Sequence, residues 1–174
     1  MGLEAFSTAR ALRCVANGRV MTLSELRDGV YSHKLKGDGY AVLVRRTKKC
    51  DGGMAGVFSS IVAGLFAPSE LVELCAPADG VVTAKGEALS LRTGDGIEIS
   101  VYPEAKAAFH PEVGEKVRRG RRIGTVSRTA LSENPLGGAV VVVFSDMERI
   151  TELHVSTGRH RTGERTAFYH IRRI

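Results

Sequence analysis

Short apolar runs separated by turn residues recur along the whole chain. Hydrophobic positions alternate with polar ones, or run unbroken for a few residues, in Leu12–Ala16, Arg19–Leu23, Tyr40–Val44, Gly80–Ala84, Ala88–Leu91, Ile97–Tyr102, Ile123–Val126, Ala139–Phe144 and Ala167–Ile171. A period of two places alternate side chains on opposite faces of a pleated strand, so each run predicts a strand. Between them stand Asn17-Gly18, Gly37-Asp38-Gly39, Asp79-Gly80, Gly94-Asp95-Gly96 and Gly137-Gly138. These residues tolerate positive φ, which tight connections between antiparallel strands require. The pattern predicts an all-β protein: an antiparallel β-sandwich or flattened barrel with one or two short helices.

Helical signal is sparse. Thr22-Leu23-Ser24-Glu25 and Ser145-Asp146-Met147-Glu148 both fit a capping box. The second predicts a helix over Met147–Leu153, with Met147, Ile150 and Leu153 on one face, ending near Gly158. The stretch Asp51–Val72 is small, apolar and almost uncharged. It reads as an insertion that covers one sheet face, with docking of a partner or contact with a membrane as the competing readings.

Composition narrows the class. The chain has 174 residues, 43% hydrophobic and 25% charged, which suits one folded domain with its own core and excludes a disordered chain. Twenty glycines and only 6% aromatics agree with many tight turns between short strands. The net charge of +6 favours anionic partners without naming one. Cys14, Cys50 and Cys75 form no CxxC pair and read as idle thiols in a reducing compartment. No apolar run is long enough for a signal peptide or a membrane span, so a cytoplasmic protein is expected.

Motifs for common chemistries are missing. There is no phosphate-cradling Gly-x-x-x-x-Gly-Lys-Ser/Thr string, and His33, His110, His154, His160 and His170 show neither HxH nor HxxxH spacing. No cofactor and no metal are expected. From Glu112 to Val126, Gly114 and Gly120 close successive turns while Val117 and Ile123 point inward. That segment also carries Arg118, Arg119, Arg121 and Arg122, a basic strip suited to an anionic surface. Base stacking needs aromatics interleaved with the cations, and there are none, so nucleic acid is not the expected partner.

An ordered set of segments resembles one family. Val15-Ala-Asn-Gly-Arg-Val, Leu26 to Val42, Cys75-Ala-Pro-Ala-Asp-Gly-Val-Val, Val113–Val126 and Val141 to Leu153 resemble, in order, segments of glucose-type enzyme IIA, the phosphocarrier module of the bacterial sugar phosphotransferase system. The resemblance implies a sandwich of two related halves over most of the chain, and phosphotransferase components or a sugar permease as protein partners. Lysostaphin-type zinc peptidases share that fold. Their HxH would be expected near Gly138–Phe144, where this chain is aliphatic, so peptidase activity is not implied.

The family's reaction needs two neighbouring histidines, one accepting the phosphoryl group on a ring nitrogen and one hydrogen-bonding it. The acceptor strand, Gly-Val-Glu-Leu-x-Val-His in the family, is matched by Gly96-Ile-Glu-Ile-Ser-Val-Tyr102, so Tyr102 falls at the acceptor position. The supporting histidine precedes an Ala-Phe-Ser strand, and Glu87 stands there before Ala88-Leu89-Ser90. A phenol ionises near pH ~10 and is a poor relay nucleophile, while a carboxylate repels an incoming phosphoryl group. The connection after the acceptor strand is shortened to Pro103–Glu112, which removes part of the family's partner-binding rim. Three functional expectations follow. The first is an enzyme IIA-like binding or regulatory module without phosphotransfer, its surface formed by Tyr102, Glu87, Ser100 and the four arginines. The second is an active phosphocarrier using a displaced histidine, His110, in the shortened connection. The third is a basic interaction protein using Arg118–Arg122.

Overall fold

A computed structural model describes residues 9–44, except 27 and 35, and residues 70–172. Fourteen strands lie among the described residues: β1 (Arg10–Arg13), β2 (Gly18–Thr22), β3 (Gly39–Leu43), β4 (Leu71–Cys75), β5 (Gly80–Lys85), β6 (Leu89–Arg92), β7 (Glu98–Tyr102), β8 (Ala107–Phe109), β9 (Lys116–Val117), β10 (Arg122–Ser127), β11 (Ala139–Phe144), β12 (Ile150–Val155), β13 (Gly158–His160) and β14 (Arg165–Ile171). One helix, α1 (Arg128–Ser132), is capped by the Ser127 hydroxyl, which accepts from the Ala130 N–H. No helix among the described residues is long and apolar enough to cross a membrane.

The strands form an antiparallel sandwich. Eight of them make one sheet in the order β13-β2-β3-β11-β7-β6-β5-β9, and two three-stranded sheets, β1-β14-β12 and β4-β10-β8, supply the rest. Val20, Tyr40, Val42, Val140, Val142, Phe144, Ile99, Val101, Leu89 and Leu91 belong to the large sheet. They share one core with Leu12, Ala167 and Tyr169 of the first small sheet and Leu74, Phe109, Ile123 and Val126 of the second. Removing these apolar surfaces from water is the main force joining the layers.

Strand β11 explains the site's position. All six of its residues are buried. Val140, Val142 and Phe144 enter the main core, while Ala139, Val141 and Val143 enter a second cluster on the opposite face. A strand buried on both faces must read as a continuous apolar run, as Ala-Val-Val-Val-Val-Phe does. The second cluster is closed by Leu23, Leu26 and Tyr31, with Tyr102 packed at its margin. Close approach is enforced beside it, because a Cβ on Gly39 would stand 1.8 Å from the Val142 carbonyl oxygen. Gly114 and Gly120 have φ of 90° and 78°, and Val117 and Ile123 are buried, as the two-turn pattern requires.

Two expectations are corrected. Met147–Leu153 is not a helix: a single 3-10 turn, Met147–Arg149, leads into β12, and Asp146 makes no side-chain cap. Ile150–Val155 instead pairs antiparallel with β14, because ladder bonds and the half-buried face of that sheet outweigh a weak local helical pattern. The capping-box residues at Thr22 likewise support only a 3-10 turn, Leu23–Glu25, with the Thr22 N–H donating to Glu25 Oε2 at 2.8 Å. Of Asp51–Val72, residues 51–69 lie outside the described residues, as does Cys50; Leu71 and Val72 open β4. Cys14 and Cys75 are buried and free.

Candidate functional site

Tyr102 ends β7, paired on one side with Val141 of β11. On its other side the β6–β7 register matches Leu89 with Val101 and Ser90 with Ser100. Ile99 and Val101 point into the main core, so Ser100 and Tyr102 share the opposite face. Ahead of β6, Glu87 occupies an exposed hairpin in which the Gly86 N–H donates to the Ala88 carbonyl at 3.0 Å. A depression of about 530 Å³ brings the two residues together, lined by Tyr102, Glu87, Lys36, Glu104 and Lys106 among others. No histidine lines it among the described residues.

One wall is a clasp that sequence reasoning did not find. The Tyr31 hydroxyl donates to Glu104 Oε1, and the Tyr31 and Tyr102 rings lie 6.2 Å apart between centroids. Lys36 Nζ sits 5.2 Å from the Tyr31 ring centroid and 4.9 Å from that of Tyr102, and 4.0 Å from Glu104 Oε1. A cation over two rings and beside a carboxylate is held by their quadrupoles and by charge. Burial, then the hydrogen bond and negative charge of Glu104, push the Tyr31 phenol well above the ordinary tyrosine range. Burial pushes the nearby Asp28 carboxyl up, but N–H groups of Tyr31, Ser32 and Val30 outweigh it and leave the group below the usual carboxylate range. Those hydrogen bonds fix the loop that carries Tyr31.

The remaining candidates lie elsewhere. Ser100 is 3% exposed and its hydroxyl lies 2.7 Å from that of Ser90, so it braces the two strands and offers nothing to a partner, which corrects its assignment to a binding surface. His110 follows β8, exposed, with its N–H donating to the Ile123 carbonyl; it is not among the residues around the depression. Arg118, Arg119, Arg121 and Arg122 are exposed. Arg121 pairs with Glu115 at 2.9 Å and Arg122 with Glu73 at 3.0 Å, which neutralises part of the strip. The Arg119 N–H donates to Asp79. Among the described residues, no three His, Cys, Asp or Glu side chains stand together as metal ligands would.

The depression therefore offers a phenol, two ammonium groups and two carboxylates to whatever enters it. Superposition with solved structures decides the fold. Glucose permease IIA from Mycoplasma capricolum matches with a TM-score of 0.70 and 16% identity, over 94% of this chain and 97% of that one.

The fold is that of glucose-type enzyme IIA.

Sequence similarity points the same way. The glucose-specific EIICBA component of the phosphotransferase system from Streptococcus pneumoniae is 27% identical over 137 residues, which are 78% of this chain and 17% of that protein. No family model matches the chain. In both fold and sequence the chain is similar to glucose-type IIA, and divergent from it.

Proposed function

We propose that this IIA-like protein does not carry phosphoryl groups on the family's histidine positions, and acts as a binding or regulatory module for components of the sugar phosphotransferase system or a sugar permease. One observation carries the reading: Tyr102 and Glu87, the residues matched to the two histidines, line one depression together with Lys36, Glu104 and Lys106. A phosphoryl relay needs a nitrogen nucleophile that is neutral near physiological pH, and a donor aimed at the transferred group. At the acceptor position a tyrosine is not such a nucleophile, and at the supporting position a glutamate carboxylate is not such a donor. The Tyr31–Glu104 bond and the Lys36 contact with the Tyr102 ring also engage the groups around the depression with one another, which supports recognition over passage of a group.

The test is incubation with phosphoenolpyruvate and the general phosphocarrier proteins, followed by assay for acid-labile phosphate. No uptake is expected. Uptake that disappears in His110→Ala would instead establish a displaced phosphocarrier histidine.

A further inference from the structure

A second cavity, about 1010 Å³, shares no lining residue with the depression at Tyr102; Arg19, Arg159, Arg161, His160, Glu164 and Leu43 are among the residues around it. Arg19 of β2 and Arg159 of β13 are direct partners in the ladder. Side chains at such positions stand on one face with Cβ atoms ~5 Å apart, and like charges placed there repel. Arg161, two positions further on, lines the same cavity.

Counter-charge is lacking where it is needed. The Glu164 carboxylate accepts the Arg161 backbone N–H at 3.1 Å and lies 3.5 Å from His160 Nδ1. Elsewhere on the surface, Arg10, Arg92, Arg121 and Arg122 each reach a carboxylate. Among the described residues, Arg19, Arg159 and Arg161 have no such pairing through their guanidinium groups. A directly opposed arginine pair with a third arginine beside it is unfavourable as it stands, and becomes favourable when an anion bridges the three.

We propose that this cavity binds a small organic phosphate, its phosphate oxygens on the guanidinium groups of Arg19, Arg159 and Arg161 and the remainder against Leu43. The planar fork of a guanidinium matches phosphate oxygens two at a time. The volume far exceeds that of a bare phosphate and suits a metabolite-sized molecule. The three arginines are exposed around an open cavity, so an acidic protein surface is the competing occupant that the test must separate.

The full chain is titrated calorimetrically with pyrophosphate and with ATP at constant ionic strength, alongside Arg19→Gln and Arg159→Gln. Saturable binding of at least one probe is expected, weakened about tenfold or more in each variant. Without any anion, Arg159→Gln should melt about 1–3 °C above the unaltered chain, because an opposed like charge has gone. This second readout keeps the test valid if a variant binds nothing. Absence of saturable binding at millimolar probe overturns the proposal. So does equal binding by the variants, or binding of polyglutamate in preference to both phosphates.

Discussion

Replacing Ser100 with alanine removes one half of a hydroxyl pair that is sealed between β6 and β7. Ser90 and Ser100 are 8% and 3% exposed, stand directly opposite in the register, and have oxygens 2.7 Å apart. In Ser100→Ala the Ser90 hydroxyl keeps its burial and loses its partner, so the cost is that of an orphaned polar group, about 1–2 kcal/mol. Ser90→Ala should cost a similar amount for the mirror-image reason. The double variant leaves no orphan, and should cost no more than either single change, giving a coupling of about 1 kcal/mol or more. In a chain of this size that single loss lowers Tm by about 2–8 °C. Urea unfolding of the four proteins, with matched m-values, measures the cycle. Strictly additive losses, or a Ser100→Ala variant as stable as the parent, would refute the claim that this pair braces the strand beneath Tyr102.

Tyr31→Phe keeps the ring packed against Tyr102 and the Leu23–Leu26 cluster but removes the bond to Glu104. It should cost about 1 kcal/mol at neutral pH, the contact being partly open to water; an unchanged urea midpoint counts against the clasp. Alkaline pH should destabilise the fold. Burial pushes the Cys14 thiol up to about 11 and the Tyr40 phenol above its ordinary range. Both groups therefore stay protonated in the folded state after the unfolded chain has begun to ionise. Their contribution is complete below pH ~9, the ordinary thiol range, and is lost as pH rises through the folded values. The urea midpoint should fall between pH 9 and about 11, less steeply in Cys14→Ala, and a flat profile would contradict this.

Much of the sandwich is legible in the sequence because burial on one or both faces leaves a period. Ala139–Phe144 is matched residue for residue, since a strand apolar on both sides has no polar position to blur its ends. Leu71–Cys75 is concealed because its first residues read as the tail of the apolar stretch Asp51–Val72, although its exposed and buried positions alternate. Lys116–Val117 is too short to show any period. Met147–Leu153 misleads because Met147, Ile150 and Leu153 satisfy helical spacing while Ile150 and Val155 equally suit a strand, and only the partner β14 decides. At the depression, the family resemblance singles out Tyr102 and Glu87, and both line it. Tyr31, Lys36 and Glu104 are not legible, since Tyr31 and Glu104 are separated by 73 positions and meet only when the loop after β2 folds over the outer face of β11. Ser100 looks accessible in an alternating strand, and only the facing Ser90 shows that it is sealed.

The most direct measurement compares the unaltered protein with Glu87→His/Tyr102→His after exposure to phosphoenolpyruvate and the general phosphocarrier proteins, reading intact mass before and after acid. The unaltered chain should gain no phosphoryl group, while the double variant, with an imidazole pair returned to the depression, should gain one that acid removes. A stoichiometric, acid-labile phosphoryl group on the unaltered chain would contradict the loss of histidine chemistry at this site.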